Sequence, residues 1–169
     1  VPYRAGGEAP LEDDKTRRAA FRIVTPGYCA TLGIPLRAGR DFDDTDSMTG
    51  RRTVVINQTL AGRMWESEAA ALGRRLEIEF GGETLDLEVV GVLADTRFAG
   101  LHRQPRPALF LPHSQLPFRG MAVTVRTPLA PEVLAQALRQ KAAQLDAQVP
   151  PAEVFSLQGR LEQSYGLER

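Results

Sequence analysis

Apolar residues recur at every second position in some stretches of this chain and at every third or fourth in others, and the switches outline its elements. Phe21-Arg22-Ile23-Val24 is short and rich in β-branched residues, as a strand is. Thr25 stands where a helix N-cap belongs and Pro26 at the first helical position, which predicts a helix of barely two turns through Leu32. Gly33 then ends it and Pro35 forbids its resumption. Leu36 and an Ala38-Gly39-Arg40 turn lead into an acidic, loop-like stretch from Asp41 to Gly50. Thr53-Val54-Val55-Ile56 reads as a second strand. Asn57 caps a helix over Gln58–Trp65, with Leu60, Met64 and Trp65 on its apolar face. Leu76, Ile78 and Phe80 alternate with Glu77 and Glu79 as a half-buried strand. Gly81-Gly82 then turns the chain into a partner strand from Thr84, since two glycines can both take positive φ. From Val89 to Leu93 that partner is continuously apolar, which predicts cover on both faces. Leu109-Phe110-Leu111 is one more short strand.

The style then changes. Ala122–Arg126 reads as a strand, and Pro131–Ala147 as the longest helix, striped by Val133, Leu134, Ala137, Leu138, Ala142 and Leu145. Val154–Ser156 reads as a last strand, which makes 121–156 a strand–helix–strand unit. Val1–Arg18 has no period and reads as a loose lead-in. Leu157, Leu161 and Tyr165 place an amphipathic helix over Gln158–Arg169, cut off in mid-pattern, so the sequence is expected to be a fragment of something longer. Ends that are α/β in character around a middle made mostly of strands predict an α+β fold with a β-rich insertion.

Composition changes little in this picture. The chain has 169 residues, 43% hydrophobic and 25% charged, which suits one sizeable core or two small ones. Lys plus Arg equals Asp plus Glu at 21 each, so no basic stripe points to nucleic acid. No run of eighteen apolar residues is present, and the sequence given is expected to hold no charged-then-apolar signal peptide. The single cysteine, Cys29, excludes an internal disulfide and reads as a small buried hydrophobe.

Candidate chemistry is sparse. No glycine loop followed by Lys-Ser/Thr is present to cradle phosphates. Asp41, Asp43, Asp44 and Asp46 invite a calcium reading, but Gly is missing at the sixth position and Arg52 stands where the closing Glu belongs; a solvated acidic loop is the expectation. His102 and His113 have no second ligand at zinc spacing, and Ser114 beside His113 lacks a nucleophile elbow. Glu66 and Glu68 read as helix-end charges, and Trp65 as core or interface. Arg40, Arg51, Arg52, Arg74 and Arg75 read as ion-paired surface. The expectation is therefore no catalytic, cofactor-binding or metal-binding residue, and no cofactor.

Five stretches nonetheless follow one another in order: VTPGYCATLGIPLRAGRDF, TVVINQTLAGRMW, ALGRRLEI, LEVVGVLADTRFAGL and RPALFLPHSQ. Together they resemble the MacB-like periplasmic core domain of FtsX-like ABC transporter permeases, over about Ala20–Gly166. The resemblance implies a porter-like α/β subdomain built from both chain ends, 19–40 and 120–157, around a Sabre-like β-rich insertion over 41–119. Residues 1–18 would be the lead-in, and 158–169 a helix leading toward a transmembrane segment. It implies no enzyme but an extracytoplasmic domain of an inner-membrane permease, coupling cytoplasmic ATP hydrolysis to periplasmic movement in efflux or mechanotransmission. Its partners would be a second permease copy, separate cytoplasmic ATPase subunits and a periplasmic adaptor. Candidate hinges are 39–50 and 112–119. The chain departs from the family at Cys29, where an aromatic is usual. It also departs in the short stretch before Phe21, which implies an incomplete porter-like part with an exposed sheet edge. The alternative, a free-standing periplasmic ligand-binding domain, would hold a small molecule between the subdomains.

Overall fold

Gly81 and Gly82 take φ of +63° and +87°, so a two-residue turn joins β5 (Arg75–Phe80) to β6 (Glu83–Leu93) with Phe80 opposite Glu83. This hairpin anchors a seven-stranded sheet in the computed structural model, which describes residues 1–8, 17–96, 104–118, 120–145 and 154–159. The other strands are β1 (Tyr3–Ala5), β2 (Ala20–Val24), β3 (Leu36–Gly39), β4 (Thr53–Asn57) and β7 (Ala108–Pro112). Their order is β1-β5-β6-β4-β7-β2, with β3 paired to the far half of β6. The β4·β6 and β2·β7 pairs are parallel and the rest antiparallel. The α+β class read from the sequence stands.

The sheet curls until its two ends meet. The Val1 nitrogen donates to the Ala19 carbonyl at 2.6 Å, Ala19 N–H returns a bond to Val1 at 2.9 Å, and Tyr3 N–H reaches Arg17 at 3.1 Å. Phe21 of β2 stands edge-on to Phe80 of β5, ring centroids 5.2 Å apart. The lead-in expected to be loose thus carries a strand, because Tyr3, 2% exposed, packs against Ile78 and Leu76 neighbours in the core.

Side-chain alternation sorts the core into two layers. Val54 and Ile56 of β4 and Leu109 and Leu111 of β7 face one layer, with Leu76, Ile78, Leu85 and Leu87. Two short helices, α2 (Gln58–Met64) and α3 (Glu68–Ala71), supply Leu60, Ala61 and Ala71 to it. Val55 and Phe110 face the opposite layer, where α1 (Tyr28–Leu32) contributes Cys29 beside Val24, Ile34, Phe42 and Leu93. Parity breaks once, in β6: Val89 and Val92 share a layer although three residues apart. A bulge explains this, since Val54 pairs with Val89 but Val55 with Gly91.

Several local readings change. Thr25 is not the cap of α1. Pro26-Gly27 forms a turn closed by Tyr28 N–H on the Thr25 carbonyl at 3.2 Å, with Gly27 at φ 81° as the N-cap. The stop at Gly33 is as expected: Gly33 and Ile34 donate to Ala30 and Cys29 in a Schellman arrangement. Leu36–Gly39 is a strand that takes in Ala38 and Gly39 of the turn expected over Ala38–Arg40, and α3, capped by Ser67, is an element the periodicity does not predict. The strands of 19–40 hydrogen-bond into the same sheet as those of 41–119.

The chain clusters into two units, 1–125 and 126–169. Within the first, 121–125 joins no ladder among the described residues, so the strand expected over Ala122–Arg126 is not found there; β-branched residues favour extension but need a neighbouring strand to bond. Met121, Val123 and Val125 are exposed. The second unit holds α4 (Pro131–Leu145), with Ala135 buried and Leu134, Leu138 and Ala142 half-buried on one stripe. Residues 154–156 are not a strand, and 157–159 are helical. Most of the expected 158–169 helix lies outside the described residues, as does the end of α4's expected span at Ala147. No described helix is long and apolar enough to cross a membrane.

Candidate functional site

The chain enters the centre of the sheet through 39–53 and leaves it through 112–118, and these two crossings are tied to each other. Arg40, which follows β3, grips Asp46 with both terminal nitrogens, Nη1 at 2.7 Å and Nη2 at 3.0 Å. The same carboxylate accepts Asp43 N–H at 2.9 Å and the Thr53 hydroxyl at 2.9 Å. Asp46 is 2% exposed. Burial alone pushes its carboxyl up, but the bonds from Arg40, Asp43 and Thr53 outweigh it and hold it below the usual carboxylate range. From the other crossing, Ser114 Oγ donates to the Asp46 carbonyl. Gln115 completes the clamp. Its Oε1 accepts Thr53 N–H at 3.0 Å, and its Nε2 donates to the carbonyls of Ser47 at 3.2 Å and Arg51 at 2.9 Å.

The two segments read as candidate hinges are therefore bonded together by two side chains, Ser114 and Gln115. The acidic stretch is not a solvated loop throughout: Asp46 is core, and Asp43 accepts from Thr45 N–H at 2.8 Å in a side-chain turn. Carboxylates already saturated by Arg40, Thr53 and backbone N–H have few lone pairs left for a cation. Among the described residues, no three His, Cys, Asp or Glu side chains stand together as a metal set.

A second knot ties the far ends of β4 and β6. Asn57, 3% exposed, caps α2 through Oδ1 on Leu60 N–H at 3.1 Å. Asp95 accepts from Asn57 Nδ2 at 2.6 Å, from Thr59 N–H at 3.0 Å and from the Thr59 hydroxyl at 2.8 Å. Beside this knot lies an open hollow lined by Arg63, Gln104, Pro105 and Arg106.

The other sequence candidates do not gather. Cys29 is 3% exposed, and burial with the nearby Asp41 charge pushes its thiol up to about 12, which suits an inert packing residue. Ser114 is spent on the clamp, and His113 N–H extends the β2·β7 ladder to the Val24 carbonyl at 2.8 Å. Glu68 opens α3 and bonds Gln58, while Trp65 packs against the core beside Met64. Arg40, Arg51 and Arg75 pair with Asp46, Glu88 and Asp86. His102 lies outside the described residues. Sequence reading missed Gln115 and Asp95, whose partners stand 36 to 68 residues away.

The sequence model of the MacB-like periplasmic core domain matches residues 2–141. The fold is similar to the periplasmic region of MacB from Actinobacillus actinomycetemcomitans, at TM-score 0.62 and 15% identity, over 97% of this chain and 70% of that one. It is also similar to the extracellular domain of YknZ, a noncanonic ABC-type transporter from Gram-positive bacteria, at TM-score 0.51 and 17% identity, over 80% of this chain and 69% of that one. Among curated proteins the sequence finds no match. A match across 2–141, in a chain whose curled sheet and two tied crossings occupy that same span, assigns the chain to the MacB-like periplasmic core domain family.

Proposed function

We propose that this chain is the periplasmic domain of an ABC transporter permease anchored in the inner membrane, and that it is a mechanical part rather than an enzyme. The observation that carries this is the family match over residues 2–141. In this reading a second permease copy and separate cytoplasmic ATPase subunits complete the machine, and a periplasmic adaptor receives the movement. ATP hydrolysis shifts the membrane helices, and the sheet body moves as a unit in efflux or mechanotransmission. The Asp46–Gln115 clamp supports rigid-body movement, because it bonds the two crossings that would otherwise flex. The Sabre-like part then takes in the sheet, strands of 19–40 included. The porter-like part lies in 120–157, and 158–169 leads toward the membrane. The chain supplies no catalytic residue and binds no cofactor.

Met48, 72% exposed, offers a test of sidedness. In the parent permease, Met48→Cys is expected to react with a membrane-impermeant maleimide in intact cells, unaided by lysis. Reaction only after the inner membrane is broken would place the domain in the cytoplasm and sink the reading.

A further inference from the structure

We propose that the hollow beside α2 is an anion site that takes a phosphate group between Arg63 and Arg106. Both walls hang from one buried side chain. Asn57 spends every bond it can make: Oδ1 accepts Leu60 N–H at 3.1 Å and Ala108 N–H at 2.8 Å. Its Nδ2 donates to Asp95 Oδ1 at 2.6 Å and to the Arg106 carbonyl at 2.9 Å. The bond to Leu60 caps the helix that carries Arg63, and the bond to the Arg106 carbonyl pins the backbone that carries the other guanidinium. Asn57 thus orders the backbone on both sides of the hollow, while the Arg63 and Arg106 side chains are themselves exposed and reach a ligand from it.

Charge favours an anion in the hollow, although unpaired arginines such as Arg52 and Arg74 also stand elsewhere on the surface. The chain is neutral overall, and Arg4, Arg17, Arg40, Arg51 and Arg75 each meet a carboxylate. Among the described residues, Arg63 and Arg106 meet none, and no carboxylate lines the hollow. Asp95, the acid that the Asn57 knot brings nearby, accepts three bonds from Asn57 and Thr59 instead. What faces the hollow is two permanent cations and the Gln104 carboxamide, a set dominated by donors. A tetrahedral oxyanion presents acceptors in several directions and suits two arginines that line one hollow from distant stretches of the chain. The proposal rests on this geometry and not on the transport reading.

The test is a titration of the ¹⁵N-labelled 169-residue chain with inorganic phosphate at constant ionic strength, followed by NMR. Saturable shifts are expected at the Nε–Hε signals of Arg63 and Arg106. Arg63→Gln and Arg106→Gln should each weaken binding about tenfold, as expected for one charge-assisted bond, and the double variant should abolish saturation. Arg51→Gln, which removes an equal charge from the Glu88 pair, should leave the affinity within about twofold. A linear, non-saturating response of the native chain would overturn the proposal, and so would the same affinity in the double variant with an otherwise unchanged spectrum. A second arm identifies the source of the phosphate. Sedimentation with vesicles containing phosphatidic acid, lost in the double variant, assigns a lipid headgroup; phosphate binding without vesicle binding assigns a free phosphate compound.

Discussion

Gly91→Ala is expected to destabilise the sheet body by about 3 kcal/mol or more, the upper range for overpacking a well-packed interior. A Cβ at Gly91 would stand 2.1 Å from the Arg40 carbonyl oxygen and 3.2 Å from its carbon. These are backbone atoms, so no rotamer change relieves the overlap. The neighbouring strand cannot simply slide away, because Arg40 N–H is bonded to the Val90 carbonyl at 3.0 Å. Across the same pair, Gly39 sits at φ 73°, and a Cβ there would meet the Val90 oxygen at 2.2 Å. Two glycines face each other because two backbones pass too closely for any side chain. Urea denaturation of the variant measures the loss. Gly62→Ala is the control of opposite sign. It lies inside α2 with nothing within 4 Å of its would-be Cβ, so alanine should stabilise by about 0.5–1 kcal/mol through helix propensity. A loss below about 1 kcal/mol at Gly91 would mean that β3 and β6 do not approach as described.

Asp46→Ala should cost about 2–4 kcal/mol, because it strands several donors at once. The Thr53 hydroxyl, itself 6% exposed at the residue level, loses its acceptor, as does Asp43 N–H. Arg40 is less affected, since its side chain is 42% exposed and can turn to water. The pH dependence has a definite sign. The folded carboxyl is held below its ordinary value, so its contribution is fully present above the unfolded carboxylate's pKa of about 3.9 and disappears as pH falls through the lower folded value. Thermal unfolding followed between pH 7 and pH 2 should show the native chain losing stability below about pH 4. Asp46→Asn keeps the shape but turns an amide toward Arg40, so it should start less stable and lose less over the same window. Parallel pH profiles for the native chain and the variant would show that Asp46 is not held as an ion.

How far the sequence foretold this molecule depends on how local each cause is. Gly81-Gly82 and the alternation on either side specify the hairpin within ten or so residues, and the structure has it. The Asn57 cap and the Gly33 stop are equally local. The Thr25 cap failed to a competing local rule: Pro-Gly after Thr25 makes a turn, which displaces the helix start by two residues. Ala122–Arg126 failed for a distant reason, since a strand is completed by its neighbour and nothing in its own five residues supplies one. The clamp was illegible for the same reason. Asp46 looks like its exposed neighbours Asp43 and Asp44, and only the fold brings Thr53, Ser114 and Arg40 around it. The bulge that flips β6 between layers left no pattern beyond a continuous apolar run. The family, by contrast, was legible in the order of five short stretches, because each is fixed by local punctuation.

The most direct test of a rigid sheet body moved by ATP is a pair of distance measurements in the parent permease, reconstituted with its ATPase. Spin labels at Met48→Cys and Glu83→Cys, both exposed positions within the sheet unit, report on the body itself. Cys29, buried and protonated, stays out of the labelling. The account expects the Met48–Glu83 distance within one copy to be the same with ATP and with ADP, while the Met48–Met48 distance between the two copies changes. An unchanged distance between copies in both nucleotide states would contradict movement of this domain by ATP, and a changed distance within one copy would contradict the clamp.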